Sequence, residues 1–164
     1  MRRAAFFAAL LLTGCSGGKP AQPSGQPQDL ESAAIERGMV RDPDDSSIEG
    51  LYARDTDRVC IVKAGSGYRI GAYVDYGDRI TCSGSGTVTR GGEALHVELG
   101  GADCNFDAHF DGERIRFPGS VPAACAKLCA RRAAFSGLDV ARLSESAAEA
   151  AAMRDSSGKR LCGE

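Results

Sequence analysis

The sequence predicts a mainly β domain with some α-helix: a small antiparallel meander, either a closed barrel or a curled sheet, with carboxyl-terminal helices packed on it. Three observations lead to this prediction. Residues 48–117 contain short runs rich in valine, isoleucine, threonine, tyrosine and phenylalanine, separated by glycine and aspartate, which is typical of antiparallel strands. Alanine-rich segments follow within residues 122–156. Six of the seven cysteines lie between residues 60 and 162, where disulfides would staple one compact unit.

The amino terminus has the layout of a secretory signal. Arg2 and Arg3 supply positive charge, and the apolar run AAFFAALLL follows at residues 4–12. A membrane-spanning helix needs about 20 apolar residues, so this run is too short to serve as a permanent span. We therefore expect residues 1–14 to be a signal peptide that is removed.

The end of the apolar run, Leu12-Thr13-Gly14-Cys15, resembles the lipobox of bacterial lipoproteins. The resemblance implies that Cys15 becomes the first residue of the mature protein, with diacylglycerol on its sulfur and an acyl chain on its amine. One acyl chain alone holds a protein only marginally at a bilayer, whereas two or more hold it firmly. Ser16 stands where an aspartate would favour the inner membrane, so the resemblance implies an outer-membrane protein that faces the periplasm.

The chain after Cys15 divides into a tether and one domain. Residues 15–28 contain the lipidated cysteine and a segment dominated by glycine, proline, serine and glutamine. We expect this segment to be disordered and to span about 20 Å. Residues 29–164 have the size of a single domain. It opens with a predicted short helix that Asp29 caps and Gly38 ends, since these residue types favour those positions.

Alternating side chains give each predicted strand one buried and one wet face. Tyr68, Ile70, Ala72 and Val74 alternate with Arg69, Gly71, Tyr73 and Asp75, as expected for antiparallel strands. The dipeptides Gly91-Gly92 and Asp111-Gly112 predict two-residue hairpin turns. Consecutive strands should therefore be neighbours in the sheet. Six to eight strands are predicted, near Leu51, Val59, Tyr68, Ile80, Thr87, Leu95, Phe106 and Ile115.

Two carboxyl-terminal helices are predicted after the strands. Pro122 suits the first turn of a helix that would run to Phe135, before Gly137. Cys125 and Cys129 would share one face of that helix. Ser144 would cap a second, alanine-rich helix that reaches about Ser156.

An even number of cysteines in an exported chain indicates disulfides, and we expect three bridges among Cys60, Cys82, Cys104, Cys125, Cys129 and Cys162. A bridge between Cys125 and Cys129 would strain the helix. Cys162 would reach Cys129 along an antiparallel helix pair, and Cys125 would take a strand cysteine. The other two of Cys60, Cys82 and Cys104 would then pair within the sheet.

The residues that could carry chemistry give no catalytic prediction. Gly65-Ser66-Gly67 and Gly84-Ser85-Gly86 lack the glycine spacing of a hydrolase elbow. Asp75 with Asp78, and Asp107 with Asp111, are interpreted as turn formers. The cysteines lack the close pairs of a metal site, and His96 and His109 are expected to face solvent. We predict no metal and no cofactor beyond the lipid on Cys15.

Composition argues against nucleic acid as a partner. The chain has 20 Lys and Arg against 22 Asp and Glu, a net charge of −2. Removal of Arg2 and Arg3 with the signal makes the charge about −4. No basic run of the kind a phosphate backbone needs is evident. The remaining partners are membrane lipid, through Cys15, and another protein of the envelope.

Three functions remain open from the sequence. The first is a non-catalytic binding or accessory module. The second comes from Ser66-Gly67-Tyr68-Arg69, which resembles the serine-glycine motif of lipid-anchored periplasmic inhibitors of animal lysozyme. That resemblance implies a protein-binding barrel that inserts Ser66 and Arg69 into the lysozyme cleft. The third is a hydrolytic enzyme without a recognisable motif.

Overall fold

A computed structural model describes residues 30–37, 39 and 47–163 of the chain. The predicted signal peptide, Cys15, the tether, the cap at Asp29 and the end at Gly38 lie outside the described residues. The described elements are two α-helices, one 3₁₀ helix and eight strands. They are α1 Leu30–Glu36, β1 Gly50–Arg54, β2 Asp57–Ala64, β3 Gly67–Asp75, β4 Thr81–Gly91, β5 Ala94–Leu99, β6 Asn105–Phe110, β7 Arg114–Arg116, the 3₁₀ helix Ala123–Leu128, β8 Asp139–Ser144 and α2 Ala147–Ala152.

The eight strands form a closed antiparallel barrel in which each strand pairs with its neighbours in sequence. Closure comes from β1 and β8, where Leu51 lies opposite Ser144 and Tyr52 opposite Arg142. The predicted meander is therefore confirmed, and of the two forms left open the closed barrel is correct. Closure leaves no free first or last strand that could pair with another chain.

Two strand assignments from the sequence are wrong. The segments near Ile80 and Thr87 belong to one long strand, β4, which pairs first with β3 and then with β5. A strand that was not predicted is β8, which lies between the two predicted helices. Its local pattern is short, and pairing with both β1 and β7 stabilises it.

The helices are shorter than predicted. The segment from Pro122 to Phe135 contains only the 3₁₀ helix, and the backbone is extended at Cys129 (φ −119°, ψ 144°). Cys125 and Cys129 are bonded to different parts of the barrel, which a continuous helix could not satisfy. Helix α2 forms as predicted but begins later, since Ser146 is its cap and accepts a hydrogen bond from Glu149 N at 3.3 Å.

The barrel interior is filled with side chains. Every strand contributes buried residues to one core cluster. Tyr52 and Phe110 pack edge to face with centroids 6.2 Å apart, and the Tyr52 hydroxyl donates to Ile48 O at 2.9 Å. Burial raises the pKa of the Tyr52 phenol. Arg142 lies over both rings, 4.9 Å from the Tyr52 centroid and 5.6 Å from that of Phe110, and closes this part of the barrel.

A second core lies outside the barrel, against β2 and β3. Cys60, Val62 and Tyr73 are buried there beneath α2 and the residues that follow it, 153–163, called here the carboxyl-terminal segment. The prediction of a wet face on β3 is therefore wrong at Gly71 and Tyr73. Leu161 packs directly on Gly71, since a Cβ added at Gly71 would lie 2.5 Å from Leu161 Cβ.

All six described cysteines form disulfides, as predicted, but the predicted pairing is largely wrong. The predicted bridge between Cys129 and Cys162 and the predicted bridge within the sheet do not form. The described residues contain no antiparallel helix pair that could guide Cys162, and the residues around it pack on β2 and β3 instead. Cys125 does take one of the three earlier cysteines. The observed pairs are Cys60–Cys162, Cys82–Cys129 and Cys104–Cys125.

Candidate functional site

The predicted partner-binding residues lie on the β2–β3 hairpin. Its turn consists of Gly65 and Ser66, and Gly65 has a φ of +61°, which glycine adopts without steric cost. Ser66 is exposed at the tip. Arg69 lies on β3 and is half-buried, and its Nη1 donates to Cys162 O at 3.4 Å. The carboxyl-terminal segment therefore positions Arg69 but not Ser66.

Arg69 lines an open groove of about 440 Å³ between the hairpin, α2 and the end of the described chain. Lys63 also lines it, and its backbone N–H donates to Glu49 Oε1 at 2.9 Å. The floor is apolar, with Val62 and Ala151. Ser66 is not a lining residue, so the structure separates the two residues that the sequence proposed together.

The acidic and histidine side chains singled out in the sequence serve turns and surface pairs. Asp75 accepts a hydrogen bond from Gly77 N at 2.8 Å, and Asp111 accepts one from Arg114 N at 2.7 Å. His96 and His109 are exposed, as predicted. Their Nδ1 atoms lie 2.9 Å from a carboxylate oxygen of Asp107 and 3.8 Å from one of Glu93, respectively.

The described residues offer neither a metal site nor a membrane-spanning helix. They contain no group of three or more histidine, cysteine, aspartate and glutamate side chains placed to hold a metal ion. No helix formed by residues 30–37 or 47–163 is long and apolar enough to cross a membrane.

The most distinctive surface is one that the sequence reading missed: the connection between β7 and β8, residues 117–138, called here the β7–β8 loop. It is the longest connection in the barrel. Two of the three disulfides hold it, since Cys129 is bonded to Cys82 of β4 and Cys125 to Cys104 before β6. Long ordered loops on a rigid scaffold are frequent places of binding.

The β7–β8 loop is cationic. Its three charged side chains, Lys127, Arg131 and Arg132, are all exposed, and the loop contains no aspartate or glutamate. None of the three forms an ion pair or hydrogen bond with another described residue. This distribution departs from the acidic balance of the whole chain.

An apolar pocket of about 170 Å³ lies within the β7–β8 loop. Its lining includes Val121, Ala133, Ala134 and Phe135. Tyr76, in the β3–β4 turn, stands beside it and donates from its hydroxyl to Ala134 O at 3.5 Å. The Tyr76 side chain is nevertheless 58% exposed, so an exposed aromatic ring is hydrogen-bonded to a residue that lines the pocket.

One signal in the sequence could have pointed to this surface. No acidic residue occurs between Glu113 and Asp139, although the chain has 22 elsewhere or at those ends. Leu128, Cys129 and Ala130 separate Lys127 from Arg131 and Arg132, so the cations do not form the continuous basic run that a phosphate backbone needs. No protein-family model, curated protein or solved structure matches this chain.

Proposed function

We propose that this protein is a lipid-anchored envelope lipoprotein whose barrel is a non-catalytic module that binds another protein through its outer surface. The filled interior carries the proposal. Side chains from all eight strands occupy the space where a barrel of this size could hold a small ligand. A ligand must therefore be recognised from outside, and an outer surface with shallow grooves suits a protein better than a small molecule.

The disulfides support the same function. Cys60–Cys162 fixes the carboxyl-terminal segment, and the other two bridges fix the β7–β8 loop. Each bridge stabilises a folded domain by about 2–4 kcal/mol. Pre-organised surfaces lose little conformational entropy on binding, so the barrel would present its loops ready for a partner.

The lipid anchor is tested at Cys15. In cells supplied with a labelled fatty acid, the native protein should carry label and sediment with outer membranes. Cys15→Ala should abolish both properties. Label or membrane sedimentation that persists in the variant would contradict the anchor.

Binding to a protein is tested by photo-crosslinking in intact cells. The photoreactive amino acid p-benzoylphenylalanine is introduced singly at Ser66, at Ala134 and at Thr89, which are exposed positions on three parts of the surface. A protein-binding module should give a discrete, light-dependent protein adduct from at least one position and none from another. Absence of protein adducts at all three positions would refute the binding function.

A second candidate is inhibition of animal lysozyme, which the Ser66-Gly67-Tyr68-Arg69 resemblance implies. The closed, disulfide-bonded barrel is compatible with it. Purified protein at micromolar concentration should then slow lysozyme-driven clearing of a peptidoglycan suspension. Ser66→Ala and Arg69→Ala should relieve the inhibition, whereas Thr89→Ala should not. Clearing at the uninhibited rate would exclude this candidate and leave the binding module standing.

A further inference from the structure

We propose that the β7–β8 loop is the docking surface for the partner, and that the partner presents an acidic segment with one apolar anchor side chain. This inference rests on the proposed function, because it names the chemistry of the protein that the barrel binds. It follows from the rigidity, the charge and the shape of the loop.

The loop is held in one conformation. Its attachments to the barrel include two disulfides and a hydrogen bond from Ala130 N to Thr81 O at 2.7 Å. Directly after Ala130, Arg131 has a φ of +60°. Glycine adopts this left-handed region without steric strain, whereas for other residues the same backbone conformation is unfavourable by about 1–2 kcal/mol. The loop therefore keeps a long cationic side chain at a position where its backbone favours glycine.

Charge defines one half of the partner. The side chains of Lys127, Arg131 and Arg132 are exposed and form no ion pair with an acidic group of the described residues. Arg79, in the neighbouring β3–β4 turn, is exposed as well. Carboxylates on a partner would be steered to this cluster and would form charge-assisted hydrogen bonds with the guanidinium groups.

The pocket defines the other half. Its volume of about 170 Å³ is suited to a single aliphatic or aromatic side chain. Phe135 and Val121 offer apolar contact, and Ala133 and Ala134, which follow Arg131 and Arg132 in sequence, place that contact next to the cations. Tyr76, which is hydrogen-bonded to Ala134 O, adds an exposed ring near these residues, and tyrosine is enriched where interfaces concentrate their binding energy.

The concave shape favours a protein over an anionic membrane surface. Insertion into a bilayer requires protruding apolar side chains. In the β7–β8 loop the large apolar residues Phe117, Phe135 and Leu138 are buried and Leu128 is partly buried. The exposed apolar residues next to the cations are the small Ala126 and Ala130. A pocket receives a side chain and does not insert one, so the occupant is a protein segment.

The test uses the intact lipidated protein in a non-ionic detergent and a fluorescein-labelled peptide of eight residues, seven aspartates and glutamates around one leucine. Binding is followed by fluorescence anisotropy at low salt. Arg131→Glu combined with Arg132→Glu should weaken binding by about tenfold or more, and the corresponding double change to glutamine should give a smaller loss. Replacing the peptide leucine by alanine should weaken binding by about tenfold, since the pocket loses its occupant.

The matched control is Lys159→Glu combined with Arg160→Glu, which makes the same change of charge at two adjacent exposed cations that line neither the pocket of the β7–β8 loop nor the groove beside the β2–β3 hairpin. Binding to this variant should stay within about twofold of the native value. An equal loss in the control, or equal affinity for the leucine and alanine peptides, would overturn the proposal. So would vesicles containing 30% phosphatidylglycerol that bind the native protein but not the loop variant, because the occupant would then be lipid.

These outcomes differ from those that refute the proposed function. If the acidic peptide does not bind, yet a cross-linker at Ser66 or Thr89 gives protein adducts, the loop inference is wrong and the binding function stands. If no position gives a protein adduct, the proposed function itself fails. If adducts form from Ala134, mass spectrometry of the cross-linked partner peptide should find an acidic segment, and a basic one overturns the inference.

Discussion

Replacing Gly71 by alanine tests whether the carboxyl-terminal segment is seated on the outer face of the barrel. A Cβ at this position would lie 2.5 Å from Leu161 Cβ, 2.8 Å from Cys60 Sγ and 3.0 Å from Leu161 C. Carbon atoms in ordinary contact are about 3.5–4.0 Å apart. The new methyl group therefore requires a movement of about 1 Å by β3 or by the segment above it.

The structure offers little room for that movement. Cys162, the residue after Leu161, is bonded to Cys60 on the neighbouring strand, so the segment is not free to rise. Overpacking of a tight core costs about 1–3 kcal/mol, and we expect the upper end of that range. Gly67, on the same strand, is the matched control because no atom lies within 4 Å of its added Cβ. There alanine should stabilise by about 0.5–1 kcal/mol, since it replaces a strand glycine.

The assay is urea unfolding without reductant, followed by far-ultraviolet circular dichroism because the chain has no tryptophan. The two variants should differ by about 3.5–4 kcal/mol in free energy of unfolding, or by roughly 15 °C in melting temperature. Equal stability of Gly71→Ala and Gly67→Ala would refute the reasoning. It would mean that Leu161 does not pack on β3. The carboxyl-terminal residues would then not border the groove beside the β2–β3 hairpin in the way described above.

Three further predictions concern the groups that close the barrel and its second core. The Arg142 side chain is only 5% exposed and donates to Ser47 O, Glu49 O and Gly112 O. In urea unfolding, Arg142→Ala should lower the free energy of unfolding by about 3 kcal/mol, and Arg142→Lys should have an intermediate effect. Native-like stability of the alanine variant would contradict this role. Although burial acts to raise it, hydrogen bonds from Ser157, Ser83 and Lys159 lower the pKa of Asp155 below its ordinary 3.8. Its stabilising effect is therefore complete above pH 3.8 and is lost as the pH falls through the lower folded value, so the deficit of Asp155→Asn should shrink between pH 7 and pH 3; a constant deficit would count against it. Peptide mapping without reduction should recover the three observed disulfide pairs, and a peptide joining Cys129 to Cys162 would contradict the structure.

The antiparallel meander could be predicted because its signals are local. Alternation in β3 and β5 and the glycines near residues 91 and 112 define neighbouring strands without long-range information. Even there the turns fall one residue later than predicted. Gly91 pairs with Ala94, and Phe110 pairs with Ile115, while Gly92 and Gly112 take the positive φ values of 63° and 95°. A dipeptide identifies a turn, but the register of the strands decides which residues occupy its centre.

The candidate sites could be predicted only in part from the sequence. Arg69 was singled out from a four-residue resemblance, and it lines a groove whose other wall, α2, is remote in the chain. The pocket of the β7–β8 loop could not be foreseen, because Val121 and Phe135 meet only after two disulfides fold the loop on itself. An amphipathic pattern at residues 122–135 favoured a helix, and covalent attachment of Cys125 and Cys129 to separate parts of the barrel overrode that preference.

The sequence by itself determined the mainly β class, the hairpin order of the first strands, the use of six cysteines in disulfides and the expectation of a lipid anchor at Cys15. Each of these depends on residues close together in the chain or on composition. Only the tertiary structure decided that β8 closes the barrel against β1, that β3 is covered on both faces, and that Cys60 is the partner of Cys162. These features join residues far apart in sequence, and such contacts are selected by packing and shape complementarity, which leave no local pattern.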